Sequence, residues 1–166
     1  MTTMENLQDA FAGESQANRK YTAFAKKAEQ DGFKQVARLF RAAAEAETIH
    51  AHAHLRVMGG IKSTAENLAV ARDGEGYEFQ SMYPGFLAQA KTEGHAAAVK
   101  SFEFAMAAEK VHYGLYAKAL ELVKQGKDLE NAVIYLCPVC GNVEIGVLPE
   151  KCSICGVPGS KFVEIK

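Results

Sequence analysis

From Leu7 to about Ala28, apolar residues recur at positions 7, 10, 11, 17, 21, 24, 25 and 28, the spacing of one helix face. A second stripe, from Phe33 through Val36, Ala37, Phe40, Ala43, Ala44, Ala51 and Leu55 to Met58, stops at Gly59-Gly60, a natural helix end. The lapses in these stripes hold charge rather than apolar residues: Glu14 in the first, Glu47 and His50 in the second. Residues 61–74 read as a mostly polar connection. A weaker third stripe, Phe79, Met82, Phe86, Leu87 and Ala90, contains Pro84, which predicts a kink or a split. The fourth includes Val99, Phe102, Ala105, Met106, Tyr116, Ala119, Leu120 and Val123 and stops at Gly126, with Glu109 and His112 on its apolar face.

The halves of this pattern repeat. Tyr21, Phe24, Ala28, Gly32, Phe40, Glu47 and His50 are matched 62 positions later by Tyr83, Phe86, Ala90, Gly94, Phe102, Glu109 and His112. Glu14 finds its counterpart, Glu75, at a spacing of 61, one residue out of step. A duplicated helical hairpin predicts a mainly α chain built as a four-helix bundle over residues 1–130. After Gly126 the character changes. Lys127 to Asn131 is a polar link, and residues 131–166 are rich in turn formers, with short strand-like pieces such as Lys161 to Ile165. All four cysteines lie in that tail, which is too short to hold a core of its own.

Charge narrows the function classes. The 166 residues carry 19 Lys+Arg and 20 Asp+Glu, a balance that argues against phosphate-driven nucleic-acid binding. No run is apolar enough to span a bilayer, and the N-terminus has no secretory pattern, so the expected location is cytoplasmic.

Carboxylates on buried helix faces cost several kcal/mol unless something offsets them. Glu14, Glu47, Glu75 and Glu109 occupy such positions, and His50 and His112 each follow a Glu by three residues, on the same face. One Glu from each of two helices and Glu-x-x-His from the other two is the arrangement of dinuclear carboxylate proteins, where two divalent cations balance four carboxylates. Iron or manganese suits these ligands, and zinc also binds them. Glu78, three residues after Glu75, is a candidate fifth carboxylate. Tyr21 and Tyr83 lie two turns from Glu14 and Glu75 and are candidates to hydrogen-bond the ligands. His52, His54 and His95 have no repeat partner and read as surface or packing residues. Cys137-Pro-Val-Cys140 and Cys152-Ser-Ile-Cys155 form two knuckles for a tetrahedral zinc or iron.

Taken in order, Glu14, Glu47-x-x-His50, Glu75-x-x-Glu78, Glu109-x-x-His112 and the four-cysteine tail resemble the rubrerythrin family along essentially the whole chain. The resemblance implies a non-haem di-iron centre in a ferritin-like four-helix bundle, a rubredoxin-like tail holding one iron on Cys137, Cys140, Cys152 and Cys155, and reduction of hydrogen peroxide to water in oxidative-stress defence. It implies that Glu47 and Glu109 bridge the irons, that Glu14 binds one, and that Glu75 and His112 bind the other. Glu78 and His50 then exchange on the first iron, which makes them catalytic candidates together with Tyr21 and Tyr83. The implied partners are peroxide, a reduced electron-donor protein such as a rubredoxin or its reductase, and a second copy of the chain in a homodimer or higher homo-oligomer. An iron-oxidising storage protein and a non-catalytic module with zinc in both sites are the alternatives. Because His112 lies well before Gly126, the tail is expected roughly 20 Å from its own chain's centre unless it folds back. That distance favours electron transfer into a partner's centre.

Overall fold

The computed structural model describes residues 1–166, which form two compact units, 1–62 and 63–166. In the first unit, α1 (Thr3–Gln30) starts at Thr2, whose side chain accepts from the Glu5 N–H while Glu5 accepts from the Thr2 N–H. The helix ends at Asp31, and Gly32 takes a left-handed φ of 86°, so that the Phe33 N–H returns to Ala28 O. The chain then reverses into α2 (Lys34–Val57). Small residues make the seam of this hairpin: Ala25 and Ala28 on α1, and Ala37, Ala44 and Ala51 on α2. Asn18 is buried in the same seam. Its Nδ2 donates to Ala44 O and Thr48 Oγ1, each at 2.7 Å, and its Oδ1 accepts from Arg19 Nε. Asn18→Ala removes these cross-helix bonds, and urea denaturation is expected to register a loss of about 1–3 kcal/mol.

In the second unit, α3 (Thr64–Tyr77) begins inside the segment read from sequence as a polar connection. Ser63 and Glu66 form a capping box there, and the first turns are polar because the helix opens on the surface. The kink expected at Pro84 is resolved as a π turn, Glu78–Met82, in which the Tyr83 N–H reaches back to Glu78 O. Helix α4 (Tyr83–Thr92) follows, with Pro84 in its first turn, where a missing N–H costs little. A π turn is one residue inserted into an α-helix. That residue is the out-of-step position in the repeat: Glu75, before the turn, matches Glu14 at 61, whereas Tyr83, after it, matches Tyr21 at 62.

The second hairpin turns as the first does, with Gly94 at φ 70° and the His95 N–H on Ala90 O. His95 caps α5 (Ala96–Lys124), its Nδ1 accepting from the Ala98 N–H. The duplication extends to the rings. Tyr21, Phe24 and Phe40 pack with centroids 5.6–6.3 Å apart, and Tyr83, Phe86 and Phe102 pack at 5.8–6.3 Å.

After Gly126, also left-handed, the tail forms β1 (Ile134–Leu136), β2 (Val143–Ile145) and β3 (Val163–Ile165), an antiparallel sheet in the order β2-β1-β3. Tyr135 is flanked by Glu144 and Glu164. The strand-like piece read from Lys161 begins two residues later, because residues 159–161 close a 3-10 turn. No helix is long and apolar enough to cross a membrane.

Candidate metal centres

Each hairpin gathers three ligand side chains. Glu14 from α1 meets Glu47 and His50 from α2, and Glu75 from α3 meets Glu109 and His112 from α5. His50 Nδ1 lies 3.0 Å from Glu47 Oε2 and 3.9 Å from Glu14 Oε1. His112 Nδ1 lies 2.8 Å from Glu109 Oε2 and 3.7 Å from Glu75 Oε1. The two triads are the same construction made twice. They differ in cover: the side chain of His50 is 54% exposed and that of His112 is 21% exposed.

Like charges crowd both triads. A hydrogen bond to Glu47, with some burial behind it, raises the Glu14 carboxyl above the ordinary carboxylate range. Burial, then a hydrogen bond to Glu109 and the charges of Glu109 and Glu78, push Glu75 up to about 8. At about 8, the Glu75 carboxyl holds its proton at neutral pH until a cation displaces it. Filling the bundle site at pH 7 is therefore expected to release the Glu75 proton, read with an indicator dye in protein whose tail iron is already bound. The release from this group should vanish when the starting pH is well above 8, and in Glu75→Gln.

Glu78 stands outside the second triad, at the first residue of the π turn. Burial raises its carboxyl, the Glu109 charge adds to this, and His112 opposes it. Burial also raises the Tyr83 phenol, with the charges of Glu78, Glu109 and Glu75 adding to the effect. Tyr21 lies in the aromatic trio of the first hairpin. Of the three unmatched histidines, His95 is the α5 cap, and His52 lines a surface cleft with Phe11, Asn18 and Leu55. Neither belongs to a ligand triad, nor does His54.

In the tail the four sulfurs converge. Cys137 Sγ lies 3.6 Å from Cys155 Sγ, and Cys140 Sγ lies 3.5 Å from Cys152 Sγ. These separations approach the edge of about 3.8 Å for a tetrahedron of metal–sulfur bonds near 2.3 Å, so the residues fit a thiolate-bound metal. Two equivalent turns build the site. The Gly141 N–H donates to Cys137 O and the Gly156 N–H to Cys152 O, with both glycines left-handed, as their place after each knuckle requires. Burial opposes ionisation of Cys152, but the N–H groups of Cys155 and Ile154 lower it to about 7, whereas burial raises Cys140. Asn142 is fully buried beside them and directs its Nδ2 to Glu144 Oε1 at 2.9 Å and to Cys152 Sγ at 3.9 Å.

The tail does not stand apart from its own second hairpin. It folds back on α5, so that a Cβ built on Gly141 would lie 4.0 Å from that of Ala108. His112 Nε2 donates to Gly141 O at 2.9 Å. A carbonyl oxygen only accepts, so this bond places a proton on Nε2 and leaves Nδ1 facing Glu75 and Glu109, the ring nitrogen that would serve as a metal ligand. The expected separation of roughly 20 Å is thereby overturned: the reversal at Gly126 returns β1 and β2 along α5. Leu68, Leu115 and Tyr116 line a cleft of about 260 Å³ with Ile134, Val143 and Ile145 there.

A family model described as rubrerythrin matches residues 5–120, and one described as the rubredoxin-like domain of rubrerythrin matches residues 135–163. The chain is 34% identical to Rubrerythrin-2 of Clostridium acetobutylicum, over 96% of this chain and 95% of that one. It is 38% identical to nigerythrin of Nitratidesulfovibrio vulgaris, over 97% and 85% respectively. A solved structure described as the fully reduced, all-ferrous state of nigerythrin aligns at a TM-score of 0.60 and 37% identity, covering 99% of this chain and 87% of that one.

Proposed function

The chain belongs to the rubrerythrin family, which joins a ferritin-like di-iron domain to a rubredoxin-like iron domain, and on that premise we propose that it reduces hydrogen peroxide to water. In this reading residues 1–130 are the catalytic module and residues 131–166 the electron-entry module, working in the cytoplasm with a rubredoxin-type donor protein. Glu14, Glu47, His50, Glu75, Glu109 and His112 would hold the di-iron centre. Cys137, Cys140, Cys152 and Cys155 hold the tail iron. When bound, two ferrous ions would supply one electron each, so that H2O2, two electrons and two protons would become two water molecules.

The observation that carries the reading is the His112–Gly141 hydrogen bond. It joins the backbone of the tail's first knuckle, one residue after Cys140, to a ligand histidine of the bundle. A direct link between the two candidate metal sites favours electron transfer over iron storage or an inert zinc module. Electrons entering at the thiolates have a short route to His112 within one chain, in place of the partner-directed transfer expected from sequence.

The other residues manage charge and protons. Glu78 sits at the π turn, where one extra residue frees a backbone carbonyl from the regular α ladder and gives its side chain room to approach or leave. A fifth carboxylate suits the more highly charged ferric state, and His50 suits the ferrous one. Burial and the charges of Glu78, Glu109 and Glu75 raise the Tyr83 phenol, so it stays protonated beside those carboxylates. Tyr21 is its counterpart in the first hairpin. Glu78→Ala tests this division: peroxide turnover is expected to fall further than iron content. Equal loss of both makes Glu78 an ordinary ligand.

A further inference from the structure

The two knuckles of the tail share one backbone frame. The Cys137 N–H donates to Asn142 O and the Cys152 N–H to Val157 O, each at 2.8 Å. Burial raises the Cys140 and Cys155 thiols, and the N–H groups of Asn142 and Val157 respectively counter that rise. Asn142 and Val157 therefore make the same main-chain bonds, each from two residues beyond the second cysteine of its knuckle. That role does not call for an amide. Val157 fills it with an apolar side chain, and no residue other than glycine takes a left-handed backbone.

Asn142 is the more demanding occupant. Its side chain is fully buried, and its Oδ1 has no hydrogen-bond partner. A buried, unpaired carbonyl oxygen opposes folding, so the use of the amide lies at its other end. That end crosses to the second knuckle. One N–H of Nδ2 donates to Glu144 Oε1 at 2.9 Å, and Nδ2 lies 3.9 Å from Cys152 Sγ. A carboxylate and a thiolate both accept, so the amide presents its NH2 side to them, and Glu144 anchors it in that orientation.

We infer that Asn142 sets the reduction potential of the tail iron: its side-chain N–H, aimed at Cys152 Sγ, raises the potential above that given by the backbone donors alone. The inference rests on the reading of the tail as a thiolate-bound iron. Reduction of a bound ferric ion by one electron from the donor adds one unit of negative charge, much of it carried by the sulfurs, with no proton taken up. A donor directed at a sulfur favours the more negative, reduced form, so its removal lowers the potential. General loosening of the tail acts in the opposite direction, because water reaching the thiolates also favours the reduced form. The sign of the shift therefore separates loss of this bond from structural damage.

Asn142→Val gives the first knuckle the side chain of the second. In the iron-loaded full chain, a redox titration followed by the red ferric absorbance is expected to place the tail potential about 59 mV more negative than in wild type, a tenfold change in a one-electron equilibrium. The urea concentration that bleaches the absorbance is expected not to fall, since the unpaired oxygen is gone. Valine is slightly larger than asparagine, so Asn142→Ala, which fits in any case, is measured beside it and is expected to shift the potential in the same direction. A potential that stays in place or moves positive in either iron-loaded variant overturns the inference. Loss of the tail iron from both variants also overturns it, because Asn142 is then a purely structural residue. Wild-type protein that binds bundle iron but shows no red ferric-thiolate absorbance removes the tail-iron reading itself, so the two failures are distinguishable.

Discussion

Cys140→Ser is expected to abolish the red ferric-thiolate absorbance and to bring donor-driven peroxide turnover down to background, while the bundle irons remain. The reason is both structural and electrical. The tail has three strands of three residues each and few buried side chains, Cys137 and Cys152 prominent among them. Metal binding contributes most of the folding free energy of such a module, so loss of one thiolate loosens the sheet and the turn that presents Gly141 O to His112. Chemically reduced Cys140→Ser protein should still be oxidised by one equivalent of peroxide, because the bundle ligands are untouched. Visible spectra, iron analysis and steady-state assays with a rubredoxin-type donor read the three parts separately. Equal loss of the single oxidation and of turnover would mean that the tail serves only to hold the bundle together.

The complementary change, Glu109→Ala, should empty the bundle and spare the tail. Glu109 lies 2.8 Å from His112 Nδ1 and is hydrogen-bonded to Glu75, so its loss removes a ligand and the partner that balances two others. Iron affinity at that site is expected to fall by more than about 100-fold, beyond the 10–100-fold typical of an outer hydrogen-bonding group. The helices should persist. The variant also removes the Glu109 charge that adds to burial in pushing Glu75 up, so the metal-free protein is expected to melt no lower than metal-free wild type. A red, helical protein without peroxide turnover is the predicted phenotype, and iron analysis together with circular dichroism checks it.

The repeat explains why so much of the site was legible in sequence. Glu14, Glu47, His50, Glu75, Glu109 and His112 interrupt apolar stripes, and a charge in such a position has few physical reasons to be there besides a cation. The four cysteines were legible because a knuckle is local, needing only two thiols and a glycine at fixed spacing. What sequence reading missed lies in the backbone. The π turn was recorded in the repeat as the step from 61 to 62, but the presence of Pro84 offered a simpler cause for an irregular helix. The start of α3 at Thr64 was hidden because an exposed first turn carries no apolar stripe, although Ser63 and Glu66 spell a capping box. The return of the tail to α5 depends on packing and on one bond from a histidine to a carbonyl, which no spacing encodes. Asn18 was overlooked because an asparagine among alanines has no periodic signature until its partner carbonyl is known.

The central claim is that reduced metal in the bundle delivers two electrons to peroxide. Anaerobic stopped-flow mixing of fully reduced, iron-loaded protein with one equivalent of hydrogen peroxide tests it most directly. The account predicts rapid oxidation of both bundle irons, with one peroxide consumed per iron pair and no hydroxyl radical trapped, followed by slower reoxidation of the tail iron. Oxidation by peroxide no faster than by an equal concentration of dioxygen, or release of radicals in step with iron oxidation, would contradict it.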